Sequence, residues 1–141
     1  MKRSAPPQRK TPLRPGGKRL RQGRSTGSPT KAQRKRLHDV THRECLACTL
    51  NRGWSLAPAY RDGCDAHHLL SGGRRRGHSE TVGLCPWHHR GVRPSECPSD
   101  AVARDLYGPS LAHESKAFHA TYGSDEELLA MQNRMLKGDS E

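Results

Sequence analysis

Two short knuckles constrain this chain more than any other feature of its sequence. Cys45-Leu46-Ala47-Cys48 is a C-x-x-C and Cys85-Pro86-Trp87-His88 is a C-x-x-H, with 36 residues between them. Each knuckle presents two ligands on a tight turn, and the pair can close the tetrahedral shell of a structural Zn2+. An odd total of five cysteines argues against a disulfide framework. Cys64 is able to substitute for one of the four, and Cys97 reads as a free thiol. A closed site contributes folding free energy outright. This chain needs that contribution, because 31% of its residues are apolar, against roughly 45–50% in ordinary soluble domains. A large hydrophobic core is excluded.

Charge divides the chain in two. Residues 1–36 carry 13 of the 25 Lys and Arg and no Asp or Glu, whereas the remainder holds 12 basic and 14 acidic side chains. The basic stretch also carries five of the ten prolines. It cannot bury enough apolar surface to offset its ordering entropy, so it is expected to be a disordered arm when free. Its natural partner is a polyanion, because Lys and Arg that neutralise phosphates release condensed counterions. The arm has too few apolar residues to insert into a membrane. Nothing approaches the run of about 18 apolar residues that a transmembrane helix needs. The N-terminus also lacks the apolar stretch of a secretory signal, and an intracellular location is the expectation.

The punctuation of the arm ends at Pro29, where Thr30 is placed to cap a short helix through Lys31, Ala32, Leu37 and Val40. From Cys45 to Gly91 the chain concentrates four of its five cysteines and five of its nine histidines. Within this stretch, Cys64-Asp65-Ala66-His67-His68-Leu69-Leu70 and Thr81-Val82-Gly83-Leu84 read as two short strands. A loop joins them with Gly72-Gly73-Arg74-Arg75-Arg76-Gly77-His78 at its tip. Pro86 to Arg90 starts a helix. Successive strand residues face opposite sides of a sheet, so His67 and His68 cannot both enter one core. Helical patterns follow at Ala101–Tyr107, from Ser110 through Leu111, Phe118 and Tyr122, and from Ser124, where Ser124 and Glu127 make a capping box and Gly138 is placed to end the helix. Leu111, Phe118, Tyr122, Leu128 and Leu129 are assigned to packing against the metal-bound centre. The i,i+4 pair His38 and His42 reads as an exposed helical face, and His113 and His119 as surface or packing residues.

The order CxxC, Asp-x-His-His, hairpin, Leu-Cys-x-x-His-His resembles an HNH (ββα-metal) nuclease. More narrowly, His67-His68-Leu69-Leu70, Gly72-Gly73-Arg74-Arg75-Arg76-Gly77-His78, Gly83-Leu84-Cys85-Pro86-Trp87-His88-His89-Arg90-Gly91 and Gly108-Pro109-Ser110-Leu111 resemble the phage recombination-enhancement (Ref) family of RecA-dependent nucleases. The resemblance covers residues 45 to about 136. It implies an α+β fold: a small zinc-stabilised HNH core with C-terminal helices, spanning residues 37–141, while the DNA-binding arm over 1–36 is read from its charge and matches the family only in being basic.

What the resemblance implies about roles can be carried over one residue at a time. His68 would be the general base. His67 and His89 would hold a catalytic divalent ion, Mg2+ or another, and His88 would belong to the structural zinc with Cys45, Cys48 and Cys85. Imidazole suits the base role because it titrates near neutrality. Arg74, Arg75, Arg76 and Arg90 would contact backbone phosphate, with Lys18, Arg19, Arg21, Lys35 and Arg36 of the arm adding affinity for DNA. A RecA filament would be the partner and the bacterial cytoplasm the location, with a phage or prophage origin. HNH enzymes commonly place an Asn shortly before the Leu-x-x-Cys run, where this chain reads Ser79-Glu80-Thr81. His78 would fill that gap, either as a further metal ligand or by bracing the loop through a backbone hydrogen bond.

A reading from another class competes with this one: a zinc-stabilised nucleic-acid-binding adaptor that recruits a recombination protein and cuts nothing. It accounts for the arm and both knuckles. It does not account for consecutive histidines at both His67-His68 and His88-His89.

Overall fold

The computed structural model describes residues 26–54 and 63–138, with the side chain of Trp54 left out. The expectations for residues 1–25, and with them Lys18, Arg19 and Arg21, lie outside the described residues. Among the described residues the elements run α1 (Lys31–Thr41), α2 (Leu46–Trp54), β1 (Asp65–His68), β2 (Leu70–Ser71), β3 (Arg74–Arg75), β4 (Thr81–Leu84), α3 (Pro86–Arg90), α4 (Asp100–Tyr107), α5 (Ser115–Tyr122) and α6 (Asp125–Gly138). This is a small α+β arrangement around short antiparallel strands.

The first helix starts where the caps put it. The Thr30 hydroxyl accepts the Gln33 N–H at 3.3 Å, and Gln33 Oε1 accepts the Thr30 N–H at 2.9 Å, a reciprocal box. Lys35 and Arg36 of the basic stretch therefore lie on α1, inside the fold. Arg36 donates to the Thr81 hydroxyl, to the Thr81 carbonyl and to Asn133 Oδ1, and so ties α1 to β4 and α6.

The two central strands pair antiparallel, with Asp65 opposite Leu84 and His68 opposite Thr81. Every residue of β4 is buried. Gly83 is required there, because a Cβ at this position would stand 2.7 Å from the Val40 carbonyl oxygen of α1. Between β1 and β4 the expected loop is a second hairpin, β2 paired with β3. Gly72 and Gly73, at φ +57° and +76°, make its two-residue turn, a conformation that lets the chain reverse at once instead of looping. Leu69 bridges the two ladders: its N–H reaches the Glu80 carbonyl and its own carbonyl accepts the Arg76 N–H.

Two helices differ from the sequence expectation. Cys45-x-x-Cys48 is the entry to α2, with the Thr49 N–H on the Cys45 carbonyl, and not an isolated turn. The helix expected from Ser110 begins only at Ser115. Its lead-in is taken up otherwise, since the Leu111 N–H donates to the His88 carbonyl at 2.8 Å and the Ser110 hydroxyl accepts the His113 N–H. The last helix starts as its capping box dictates, with the Ser124 N–H on Glu127 Oε2 at 2.8 Å and the Glu127 N–H on the Ser124 hydroxyl. Phe118, Tyr122 and Leu128 are buried, and Leu111 and Leu129 pack against the same cluster. No helix among the described residues is long and apolar enough to cross a membrane.

Candidate active site and metal centre

Cys45, Cys48, Cys85 and His88 converge, with every ligand atom within 4.8 Å of the others and all four residues buried. His88 Nδ1 lies 3.4, 3.6 and 3.1 Å from the sulfurs of Cys45, Cys48 and Cys85, and the Cys48 and Cys85 sulfurs are 4.0 Å apart. A tetrahedral zinc with ordinary bond lengths has edges of about 3.6 Å (S to N) and about 3.8 Å (S to S), so the shell fits that ion. The second nitrogen of His88 supports the same assignment: Nε2 donates to the Tyr107 carbonyl at 2.8 Å, which leaves Nδ1 bare toward the sulfurs. Burial by itself would push the Cys45 thiol up, yet hydrogen bonds from Cys48, Cys64, Cys85 and His88 hold it well below its ordinary value. Cys85 is pushed up, first by its contact with Cys45 and then by Cys48. One thiolate thus discourages the next unless a cation balances them, which is the service a divalent ion supplies. Cys64 packs beside this cluster but outside the set of four, and Cys97 is buried in the core as a free cysteine.

Beside the cluster, β1 sorts the His pair. Asp65 and His67 fall on one face of the strand and Ala66 and His68 on the other. On the first face the rings of His67 and His89 meet edge to face with centroids 5.0 Å apart. Asp65 Oδ2 accepts from His89 Nδ1 at 2.9 Å and from Arg90 Nε at 2.7 Å. Burial lowers His67 to about 4, with the neighbouring His89 adding to the effect and Asp125 opposing it. The ring is therefore neutral near pH 7, with a lone pair available to a metal. His119 also acts on His67 and lies 3.8 Å from Asp125.

On the second face His68 Nε2 is 3.0 Å from His78 Nδ1, and His78 Nε2 is 2.8 Å from the Gly27 carbonyl. Burial, then the Arg75 charge, then His78 lower the pKa of His68, while the Ala66 carbonyl favours its protonated form. The Gly27 contact ties His78 to the stretch that precedes α1.

The arginines divide. Arg74 and Arg75 are exposed on β3. Arg76 is committed to the Leu70 carbonyl, Glu80 and Glu126, and braces the base of the hairpin. Arg90 is half-exposed with its Nε on Asp65. Lys35 pairs with Asp39. His38 and His42 stack at 3.9 Å on the exposed side of α1, and His113 stacks on Trp87 at 5.7 Å.

Sequence reasoning gave Asp65 no role and read His119 as a surface or packing residue. The period of two along β1 was the available signal for Asp65, since i and i+2 share a face. For His119 and Asp125 no signal existed, because only tertiary packing brings them toward His67.

The profile of the family described as recombination enhancement, RecA-dependent nuclease matches residues 29–137. Among curated proteins none matches the chain. The match runs from the cap of α1 to the end of α6 and takes in both knuckles and every histidine described above, so the chain belongs to the family of RecA-dependent nucleases of recombination enhancement.

Proposed function

We propose that the chain is a metal-dependent DNA endonuclease of the HNH type, acting with RecA filaments in phage-linked recombination or repair in the bacterial cytoplasm. The observation that carries this reading is the meeting of His67 and His89, with Asp65 holding the far nitrogen of His89. Family membership implies phosphodiester hydrolysis that depends on RecA. His67 and His89 would hold Mg2+ or another divalent ion, which would supply charge stabilisation to the leaving oxygen. His68, held below its ordinary pKa, is unprotonated near neutrality and takes a proton from water. Arg75, which acts on His68, contacts phosphate together with Arg74 and Arg90. The arm, with Lys18, Arg19 and Arg21, raises the local concentration on DNA.

Cleavage of single-stranded and plasmid DNA in magnesium, with and without RecA and ATP, tests this reading. Cutting that needs both RecA and His68 is the expected result. Cutting without RecA keeps the HNH assignment and rejects the filament requirement. A His68→Ala chain that cuts as well as the wild type removes the general base. If zinc-loaded, DNA-binding protein cuts nothing under any condition, the adaptor is the better account.

A further inference from the structure

We propose that the β2–β3 hairpin enters the major groove of duplex DNA, with Arg75 on the strand presented to His68 and Arg74 on the strand opposite. The inference rests on the reading of the chain as a DNA nuclease, and it names the form of DNA that the hairpin grips.

The hairpin stands clear of the body. Every residue from Leu70 to Arg75 is exposed, and a Cβ on Gly72 or Gly73 would have nothing within 4 Å. A two-stranded ribbon alone in water is marginal at best. Here its root is secured, because Arg76 donates to the Leu70 carbonyl at 3.0 Å and to Glu126 at 2.8 Å, and the Arg76 N–H donates to the Leu69 carbonyl. A ribbon braced at its root and covered on neither face is free to enter a partner.

Its two faces differ. Directly opposed residues of an antiparallel pair share a face, so Leu70 goes with Arg75 and Ser71 with Arg74. The Leu69 side chain is fully buried, and its neighbours His68 and Leu70 therefore point the other way. The face of Leu70 and Arg75 thus continues the face of His68, and the Arg75 charge acts on that ring. Arg74 stands on the opposite face. Neither arginine has an ion pair among the described residues, in contrast to Arg76 beside them.

Dimensions select the groove. From Leu70 to Gly72 the rise of about 3.3 Å per residue carries the tip about 10 Å out, and the major groove of B-DNA is about 8.5 Å deep. A ribbon with side chains on both faces takes roughly the 10 Å of a packed sheet. That fits the major groove, about 12 Å wide, and exceeds the minor groove at about 6 Å. One cation on each face then meets one phosphate wall on each side. Leu70, 46% exposed, lies against the sugars of the Arg75 strand. A single strand offers only one wall, and A-form RNA has a major groove too narrow for side chains to read.

The test titrates the full chain with its zinc, without added magnesium, onto duplex DNA, duplex RNA and single-stranded DNA over a range of salt. On duplex DNA, Arg74→Ala and Arg75→Ala should each reduce the salt slope by about one. On single-stranded DNA the effect of Arg75→Ala should persist and that of Arg74→Ala should vanish, as it should on duplex RNA. Equal losses for Arg74→Ala on all three ligands, or none on duplex DNA, overturn the proposal. Methyl green, which occupies the major groove, should abolish the difference between wild type and Arg74→Ala on duplex DNA, and netropsin in the minor groove should leave it; the reverse result rejects the major groove. Zinc content and circular dichroism accompany each variant, with Arg74→Gln taking the place of the Ala variant if the hairpin is disturbed. A duplex-selective loss in a chain that cuts nothing keeps the hairpin inference and fails the nuclease reading. A chain that cuts while Arg74→Ala loses equally on every ligand fails the hairpin inference alone.

Discussion

Asp65 Oδ2 receives His89 Nδ1 at 2.9 Å, so the ring hydrogen of His89 faces β1 and its Nε2 lone pair is left for another partner. The carboxylate also takes Arg90 Nε, and hydrogen bonds from His89 and Arg90 outweigh burial to hold its pKa below the ordinary value. Asp65→Ala should therefore weaken affinity for the divalent ion by about tenfold to a hundredfold and leave zinc content unchanged. Titrating cleavage against magnesium checks this, and an unaltered midpoint would remove Asp65 from the site.

Zinc should be part of the fold. One tight zinc per chain is expected, and stripping it, or replacing Cys48 with Ala, should lose much of the helical signal, since binding and folding share one free energy in such sites. Cys64→Ala should keep the ion, because Cys64 lies outside the set of four. Metal analysis with circular dichroism distinguishes the two, and a Cys48→Ala chain with an unchanged melting point would sink the assignment.

Gly83→Ala should destabilise the chain by about 1–3 kcal/mol through overpacking. The added methyl would meet the Val40 carbonyl oxygen, a backbone atom that cannot swing aside. Urea denaturation measures it, with Gly53→Ala as the comparison, because nothing lies within 4 Å of a Cβ there.

The arginines of the hairpin should separate in function. Arg75→Ala should weaken DNA binding and reduce its salt slope by about one without changing the melting point. Arg76→Ala should lower the melting point, since its guanidinium joins the hairpin to Glu80 and Glu126. Identical behaviour of the two variants would refute the division.

Acid should loosen the start of α6. Arg76 holds the Glu126 carboxyl below its ordinary value of 4.5, and the Ser124 backbone N–H, with its hydroxyl, does the same for Glu127. The folded state thus favours both charged forms. Their stabilisation is present above the ordinary glutamate pKa and is lost as pH falls through the lowered folded values. Amide exchange in the first turn of α6 should accelerate on acidification below about pH 4.5 and lose that dependence in Glu126→Gln with Glu127→Gln.

What the sequence made legible was whatever depends on spacing. The two knuckles, the Thr30 and Ser124 caps, the paired strands and the opposed faces of His67 and His68 are all set by residues close along the chain. What escaped was set by distant partners. Arg76 and Arg36 look like free cations until Glu126 and Thr81 are seen beside them. Ser110 looks like a helix start until the His88 carbonyl claims the Leu111 N–H. Asp125 and His119 come near His67 only because α5 and α6 pack back onto the strands.

The hairpin of β2 and β3 leaves the central ladder after Leu69 and rejoins it at Glu80, where the Leu69 N–H meets the Glu80 carbonyl. That junction closes the β1–β4 ladder independently of what projects beyond it. The tip of the hairpin can accordingly be rebuilt by design without shifting the register that holds Asp65, His67 and His68. The charge at its tip is still felt by that ladder, because the Arg75 guanidinium lowers the pKa of His68.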